Sequence, residues 1–372
     1  MSVKCDRIIK AIEELAPINL AESWDNPGLM VGSASQDIEK VLVALDVTPE
    51  VANKAVEAGV DLIIAHHPLI FHAIKNIRTD SPLGKTLSVL IKHDIAVYAA
   101  HTNLDSAAGG VNDLLADKLG LSDCQPLEPS SAGKLLKLVV FVPESHSDKV
   151  RDAVTRAGAG HIGKYSHCTF STGGIGTFLP LNGTNPFIGK IGQLEQAGEV
   201  RLETILPEKA SAKVVTAMLE AHPYEEVAYD LYPLSQTIAD IGMGRVGELA
   251  EPVSLLNFAQ TVKGALGVDF LRVVGDQSKK IKTVAVCGGA GSSFINQALK
   301  LGADVLVTGD IKYDEGQQGR DLGIGLIDAG HFPTERLMVN AITTYLQQYA
   351  ENNEWTLKVK ADESDKDVFY IV

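Results

Sequence analysis

The sequence has little of what disulfide-rich, membrane or nucleic-acid-binding proteins use. Its 372 residues contain only four cysteines, widely separated and without a C-x-x-C pair, so neither a disulfide framework nor a cysteine zinc site is indicated. Positive charge is also scarce, because 33 Lys and Arg face 47 Asp and Glu. The net charge of −14 disfavours a broad electrostatic contact with nucleic acid or an anionic membrane. The apolar runs are strand-sized, far below the ~20 residues of a membrane span. These absences predict a cytoplasmic protein with reduced thiols.

What the sequence has instead is an alternation of short apolar strands with helices, first near the N-terminus and again near the C-terminus. The predicted strands are 41–45, 61–65, 95–100, 282–287, 305–308 and 325–329. Strand–helix–strand order of this kind is typical of α/β domains whose sheets are parallel or mixed, with right-handed crossovers. In such sheets the functional residues gather beyond the carboxyl ends of the strands.

The middle of the chain has a different pattern. Pro126, Pro129 and Ser130 suggest a linker, and the segments after it follow the order β-α-β and again β-α-β. This order is typical of a ferredoxin-like α+β unit. We therefore predict an inserted domain at 127–241, placed between the two parts, 1–126 and 242–372, of one α/β domain.

Histidines and carboxylates lie at the predicted strand ends. His66 and His67 follow the second strand, and Asp105 lies a few residues beyond the third. His331 and Glu335 are four residues apart at the start of a predicted helix. Three imidazoles and two carboxylates that converge from these positions would suit two divalent cations. Taken singly, the His-His pair also fits a surface or capping role, and His331 with Glu335 fits an ordinary helix pair.

Two further residues are candidates for proton transfer by position alone. His101 and Asp46 each follow a predicted strand on the same edge of the sheet. Either could serve as a general acid or base in hydrolysis. Each could equally be structural or orient a metal ligand through a hydrogen bond.

Candidates for substrate binding come from two loops. Gly289 and Gly291 belong to a glycine-rich turn between a strand and a helix, where backbone N–H groups could hold a phosphate. The turn lacks the Gly-Lys-Ser/Thr of a P-loop, so tight packing explains it equally well. Trp24 and Asn26 lie on a loop that could cover a pocket, although Trp24 could also belong to the core.

Four segments together resemble the signature blocks of the Nif-three-like family, whose members are often named GTP cyclohydrolase I type 2. They are LIIAHHPLIF at 62–71, HTNLD at 101–105, VTGD at 307–310 and GHFPTER at 330–336. The blocks span the two outer parts of the chain, about two-thirds of its length. The segment HPYEEV at 222–227 resembles the CutA/PII-like inserted domain of the longer bacterial members. From its residues alone, that segment fits a helix end and turn better than a second metal site.

The resemblance implies a metal-dependent hydrolase that opens the ring of GTP or acts on a related small molecule. It implies two divalent metal ions per subunit, with Zn expected first and Mn, Fe or Mg as alternatives. The implied ligands are His66, His67, Asp105, His331 and Glu335, with Glu335 as the bridge. It also implies a toroidal homohexamer whose metals face an internal cavity. The alternative is a regulatory, non-catalytic hexamer that binds metal and whose insert senses a ligand or gates the cavity.

Overall fold

The computed structural model describes residues 2–130, 134–162, 165–237 and 241–370. Its contacts divide the chain into two compact units. The first, here called the outer unit, consists of Met1–Ser130 together with Asp240–Val372, and the second, the inserted unit, consists of Ser131–Ala239. The outer unit is therefore built from both ends of the chain.

The secondary structure of the described residues alternates between strands and helices in both parts of the outer unit. The strands are β1 (Val3–Lys4), β2 (Gly28–Val31), β3 (Asp37–Ile38), β4 (Lys40–Ala44), β5 (Leu62–Ala65), β6 (Ala96–Ala99), β7 (Ser122–Pro129), β8 (Lys134–Pro143), β9 (Thr169–Phe178), β10 (Glu195–Pro207), β11 (Tyr229–Thr237), β12 (Gly242–Ser254), β13 (Arg272–Val274), β14 (Lys280–Val286), β15 (Val305–Thr308), β16 (Gly325–Asp328) and β17 (Lys358–Ala361). The helices are α1 (Cys5–Leu15), α2 (Pro49–Ala58), α3 (Pro82–Lys92), α4 (Thr102–Ser106), α5 (Val111–Lys118), α6 (Ser147–Arg156), α7 (Ser211–Ala221), α8 (Leu255–Leu266), α9 (Ile295–Lys300), α10 (Tyr313–Leu322), α11 (His331–Glu335) and α12 (Leu337–Asn352). Within the described chain, no helix is both long and apolar enough to cross a bilayer.

The described residues of the outer unit form two mixed sheets. One has the strand order β17-β4-β5-β6-β2, in which the first four strands are parallel and β2 is antiparallel. The other has the order β13-β16-β15-β14-β12-β7, with β14, β15 and β16 parallel. Strands β5, β6, β15 and β16 are buried along their whole length, as expected for apolar strands covered on both faces. The predicted α/β class with parallel and mixed sheets is confirmed for this unit.

Local sequence signals explain where the helices between the parallel strands begin and end. The Thr48 hydroxyl accepts a hydrogen bond from the Val51 N–H, and Pro49 opens α2. Gly59 ends that helix at φ +60°, a left-handed conformation that glycine adopts without steric cost. The chain then enters β5, which carries the two adjacent histidines to the sheet edge.

The inserted unit has one antiparallel sheet with the strand order β11-β8-β10-β9. Helices α6 and α7 follow its first and third strands, so the elements follow the predicted β-α-β-β-α-β order. Its core consists of apolar side chains from the helices and the sheet, among them Leu138, Val140, Val154, Leu202 and Met218.

The prolines that suggested a linker lie in a strand. Pro126 and Pro129 belong to β7, which pairs with β12 and forms an edge of the six-stranded sheet. Proline is compatible with an edge strand because one side of the backbone needs no ladder hydrogen bond. The outer unit consequently extends to Ser130, a few residues beyond the predicted boundary at 126.

Candidate metal centre

Side chains converge where the parallel strands of both sheets of the outer unit end. His66 and His67 directly follow β5, and Asp105 lies on α4 shortly after β6. His331 and Glu335 are the first and last residues of α11, which follows β16. The structure thus brings together the five side chains that the sequence and the resemblance single out, although they lie far apart in the chain.

Glu335 lies between two groups of potential ligands. Its Oε2 atom is 2.9 Å from His67 Nε2 and 3.1 Å from His331 Nε2. Its Oε1 atom is 3.8 Å from His66 Nε2. That nitrogen in turn lies 3.6 Å from Asp105 Oδ1. Each group of three, one with His67 and His331 and the other with His66 and Asp105, offers ligand atoms within 4.8 Å of one another.

The histidines of the centre are oriented in the same way. In each one Nδ1 is held by an oxygen atom, so that Nε2 faces the cluster. The Nδ1 partners are the carbonyl of Ala100 for His66 at 2.8 Å, Asp46 for His67 at 2.8 Å and Asp310 for His331 at 2.7 Å. Metal-binding histidines are typically fixed through their second ring nitrogen in this manner, which sets the tautomer and the ring orientation.

Two buried atoms of the centre have no hydrogen-bond partner among the described residues. Within the described part of the chain, neither His66 Nε2 nor Asp105 Oδ1 makes a hydrogen bond, although His66 is fully buried and Asp105 nearly so. Burying polar atoms without a partner costs free energy. Because imidazole nitrogens and carboxylate oxygens are ligands of divalent cations, these residues fit a metal ion.

Burial and hydrogen bonding shift the pKa values of several groups in the centre. Burial opposes protonation of His67, but hydrogen bonds to Asp46 and Glu335 outweigh it and raise the pKa of His67 to about 10. The hydrogen bond to Glu335 raises the pKa of His331 to about 9. Burial favours neutral Glu335, yet hydrogen bonds from His331 and His67 hold its pKa well below the usual value. The surrounding histidines therefore stabilise the anionic form of Glu335.

A glycine allows Glu335 to occupy its position. Gly289 has φ +61°, and a Cβ atom placed on it would lie 2.2 Å from Glu335 Oε1. The N–H groups of Gly289 and Gly291 donate to the hydroxyls of Thr334, at 3.0 Å, and Thr308, at 2.8 Å. Because these two donors are used within the chain, the structure favours the packing alternative for this turn over a phosphate cradle.

His101 lies next to the cluster. Its ring centroid is 5.2 Å from that of His66 and 5.8 Å from that of His67. Its Nδ1 atom is 2.8 Å from the carboxylate of Asp25, a side chain with no exposed surface. Hydrogen bonds with His101 and Thr102 overcome the effect of burial and lower the pKa of Asp25 to about 2.

Two carboxylates were not predicted as part of the site from the sequence. Asp25 and Asp310 hold the Nδ1 atoms of His101 and His331. Asp310 lies two residues after the end of β15, so its place beyond a parallel strand was the available signal. Asp25 lies in the loop before β2, where turn-forming residues gave no such signal.

The structure shows the contacts or the exposure of each remaining candidate residue. Asp46 accepts from His67, which places it in an orienting role. Trp24 is 59% exposed, so it does not belong to the core, and Asn26 Nδ2 donates to the Ile70 carbonyl at 2.7 Å. In the inserted unit, both ring nitrogens of His222 are engaged, with the Phe141 carbonyl and the Tyr224 N–H. These contacts agree with a turn at that segment.

Comparison with known proteins identifies relatives over nearly the whole chain. The model of the Duf34/NIF3 (NGG1p interacting factor 3) family matches residues 3–367. A Bacillus subtilis protein named GTP cyclohydrolase 1 type 2 homolog is 46% identical over 368 residues, which cover 99% of this chain and 98% of that protein. A Listeria monocytogenes protein of the same name is 40% identical over 359 residues, 96% of each chain.

Solved structures agree with this result. A Bacillus cereus protein related to NIF3 matches with a TM-score of 0.84 and 46% identity, covering 100% of both chains. A Staphylococcus aureus protein matches with a TM-score of 0.83 and 30% identity, covering 100% of this chain and 99% of that one. The chain therefore belongs to the Duf34/NIF3 family.

Proposed function

We propose that this protein is a metal-dependent hydrolase of a small-molecule substrate, with two divalent cations held by His66, His67, Asp105, His331 and Glu335. The observation that carries the proposal is the shared position of Glu335. Its two carboxylate oxygens face different groups of ligand atoms, as a carboxylate between two cations would. Zn is the first expectation for the metal, with Mn, Fe or Mg as alternatives.

When bound, such cations would promote hydrolysis, because they would lower the pKa of a coordinated water molecule toward neutrality. The chain supplies the orientation of the ligands. Asp46 and Asp310 hold His67 and His331 through Nδ1, so their Nε2 atoms face Glu335 and the candidate ligand cluster. His101, fixed by Asp25 through Nδ1, keeps its own Nε2 atom to hold or deliver a proton. We therefore prefer His101 over Asp46 as the group that transfers a proton to the substrate.

The names of the relatives supply the first substrate to test. Proteins 40–46% identical to this one are named GTP cyclohydrolase 1 type 2 homolog, so GTP ring opening is the first activity to examine. A toroidal homohexamer in the cytoplasm, with the inserted unit as a CutA/PII-like domain, completes the proposal. The rival function is a regulatory hexamer that binds metal without turnover, and the experiment below separates the two.

The test combines metal analysis with activity. Purified protein is loaded with Zn²⁺ or Mn²⁺, analysed for metal content, and assayed with GTP and with generic phosphoesters. We expect turnover that requires metal and is lost in His67→Ala and His331→Ala. His93→Ala, which removes an exposed histidine at the end of α3, is the matched control and should retain both metal and turnover.

Two outcomes would reject the hydrolase. Full activity in a His67→Ala protein that has lost its metal would show that the reaction does not depend on this centre. A protein that binds metal fully but turns over none of the substrates would favour the regulatory hexamer.

A further inference from the structure

Two aromatic side chains are exposed beside the candidate metal centre. Trp24 is 59% exposed and Phe71 is 37% exposed. Their ring centroids are 6.1 Å apart, with an angle of 55° between the planes. Both also lie near His101, at 6.3 Å for Trp24 and 6.2 Å for Phe71. The two rings and His101 thus form one aromatic group, which we call the aromatic recess.

The loop that carries Trp24 is fixed on both sides of the indole. Before it, the Glu22 N–H donates to the Thr102 hydroxyl at 2.9 Å. After it, Asp25 accepts from the Thr102 N–H at 3.1 Å, and the Asn26 amide donates to the Ile70 carbonyl at 2.7 Å. The last bond also ties this loop to the segment that carries Phe71. The recess is therefore held in place before any ligand arrives, which reduces the entropy cost of binding.

The aromatic recess lies beside the candidate metal centre. His101, which contacts both aromatic rings, has its centroid 5.2 Å from that of His66. A planar group placed on Trp24 would therefore lie next to the potential ligand atoms of the centre. Exposed aromatic faces bind nucleobases and similar rings by stacking, and such stacking tolerates different bases because every base has a π face.

We infer that Trp24 and Phe71 bind a planar heteroaromatic ring, such as the purine of a nucleotide, and hold it beside His101 at the candidate metal centre. The inference rests on the proposed function, because it names the class of molecule that this centre acts on. It assigns recognition of the ring to Trp24 and Phe71, and it leaves the metal and proton-transfer roles with the residues described above.

The chain offers a direct optical test, since it contains only two tryptophans, Trp24 and Trp355. The Trp355 Nε1 atom has no hydrogen-bond partner among the described residues, so Trp355→Phe removes no hydrogen bond and leaves Trp24 as the single reporter. The metal-loaded full-length Trp355→Phe protein is titrated with GMP and, separately, with ribose 5-phosphate, which has the sugar and phosphate but no ring. We expect saturable quenching of Trp24 by GMP and none by ribose 5-phosphate.

Variants then assign the binding to the recess. In the chain that retains Trp355, GMP affinity is measured by calorimetry. Trp24→Leu should weaken GMP binding about 10- to 100-fold, and Phe71→Leu should weaken it in the same direction. Trp24→Phe, which keeps an aromatic face, should retain most of the affinity. Phe270→Leu replaces another exposed phenylalanine of the outer unit and should leave GMP affinity and metal content unchanged.

Three results would overturn the inference. These are equal binding of GMP and ribose 5-phosphate, unchanged GMP affinity in Trp24→Leu, and an indole already shielded from acrylamide before GMP is added. The last result would mean that another part of the assembly fills the recess. Metal content is measured on the same samples. A protein that binds no divalent metal refutes the proposed function, whereas a metal-loaded protein that does not bind GMP refutes only this inference.

Discussion

The imidazole of His67 and the carboxylate of Glu335, 268 positions apart in the chain, lie 2.9 Å from each other. His67 follows β5 in the five-stranded sheet, whereas Glu335 ends α11 after β16 of the six-stranded sheet. The contact therefore joins the strand ends of two separate sheets. Because each sheet supplies some of the candidate ligands, neither part of the outer unit contains the complete candidate centre on its own.

Replacement of Glu335 by glutamine should reduce metal binding while keeping the size of the side chain. The amide removes a negative charge and one of the two oxygens that face the histidines. We expect Glu335→Gln to lower metal affinity at least about 10-fold, measured by competition with a chromogenic chelator. Glu351→Gln, at an exposed position of α12, should leave metal affinity unchanged. Equal metal affinity in the two variants would show that Glu335 is not a metal ligand.

Substitution of Gly289 should disturb the centre through steric contact. In Gly289→Ala the new Cβ atom would lie 2.2 Å from Glu335 Oε1, so the carboxylate must move. Gly267 has a similar φ of +66°, but a Cβ atom placed there would have no neighbour within 4 Å among the described residues, so Gly267→Ala carries the backbone strain alone. Each variant should lose about 1–2 kcal/mol of stability from that strain, measured by urea unfolding. Metal content should fall only in Gly289→Ala, and retention of metal there would contradict the steric account.

The carboxylates that hold the histidines should tune metal affinity without contacting the metal. Asp46→Asn and Asp310→Asn weaken the interaction with Nδ1 of His67 and of His331. We expect each to lower metal affinity about 10- to 100-fold, with an unchanged circular dichroism spectrum. Asp80→Asn, in an exposed ion pair with Arg78, is the control. An affinity that matches this control would show that the hydrogen bonds do not orient the ligands.

The buried Arg245 should contribute strongly to stability. Arg245 is 1% exposed and forms hydrogen bonds with the Asp113 carboxylate and with the carbonyls of Ala107, Gly242 and Gly244. Arg245→Met removes the guanidinium donor from these carbonyls and leaves the Asp113 carboxylate with the Gly109 N–H but without its ion-pair partner, so we expect a loss of about 3–5 kcal/mol in the free energy of unfolding. The measurement is equilibrium unfolding in urea.

A surface arginine provides the comparison for that measurement. Arg78 pairs with Asp80 at an exposed position, where ion pairs contribute little. Arg78→Met should therefore change the free energy of unfolding by less than about 1 kcal/mol. Similar losses in the two variants would mean that the buried pair is not a main source of stability.

The central strands could be predicted because their residues are apolar throughout. The prediction of strands at 41–45, 61–65 and 95–100 corresponds to β4, β5 and β6 in the structure. The ends of α2 carry residue types that are typical of helix caps, with Thr48 at the N-cap and Gly59 at the C-cap. The parallel order of these strands also predicts that candidate functional residues lie beyond their carboxyl ends.

The remaining features depend on contacts between segments that no local pattern encodes. Strand β7 was obscured by Pro126 and Pro129, which an edge position tolerates. Asp25 was not identified because its partner His101 lies 76 residues away. The sequence did not decide between phosphate binding and tight packing for the glycine-rich turn after β14. Only the hydrogen bonds of this turn to Thr308 and Thr334 favour packing.

The pairing of β7 with β12 has an evolutionary consequence. Pro129 is paired with Gly242, and the Ser130 N–H donates to the Ile241 carbonyl at 3.0 Å. The chain thus departs from the outer unit and returns to it at adjacent backbone positions. A short hairpin could join these two positions, so ancestral genes could gain or lose the intervening segment without rebuilding either sheet.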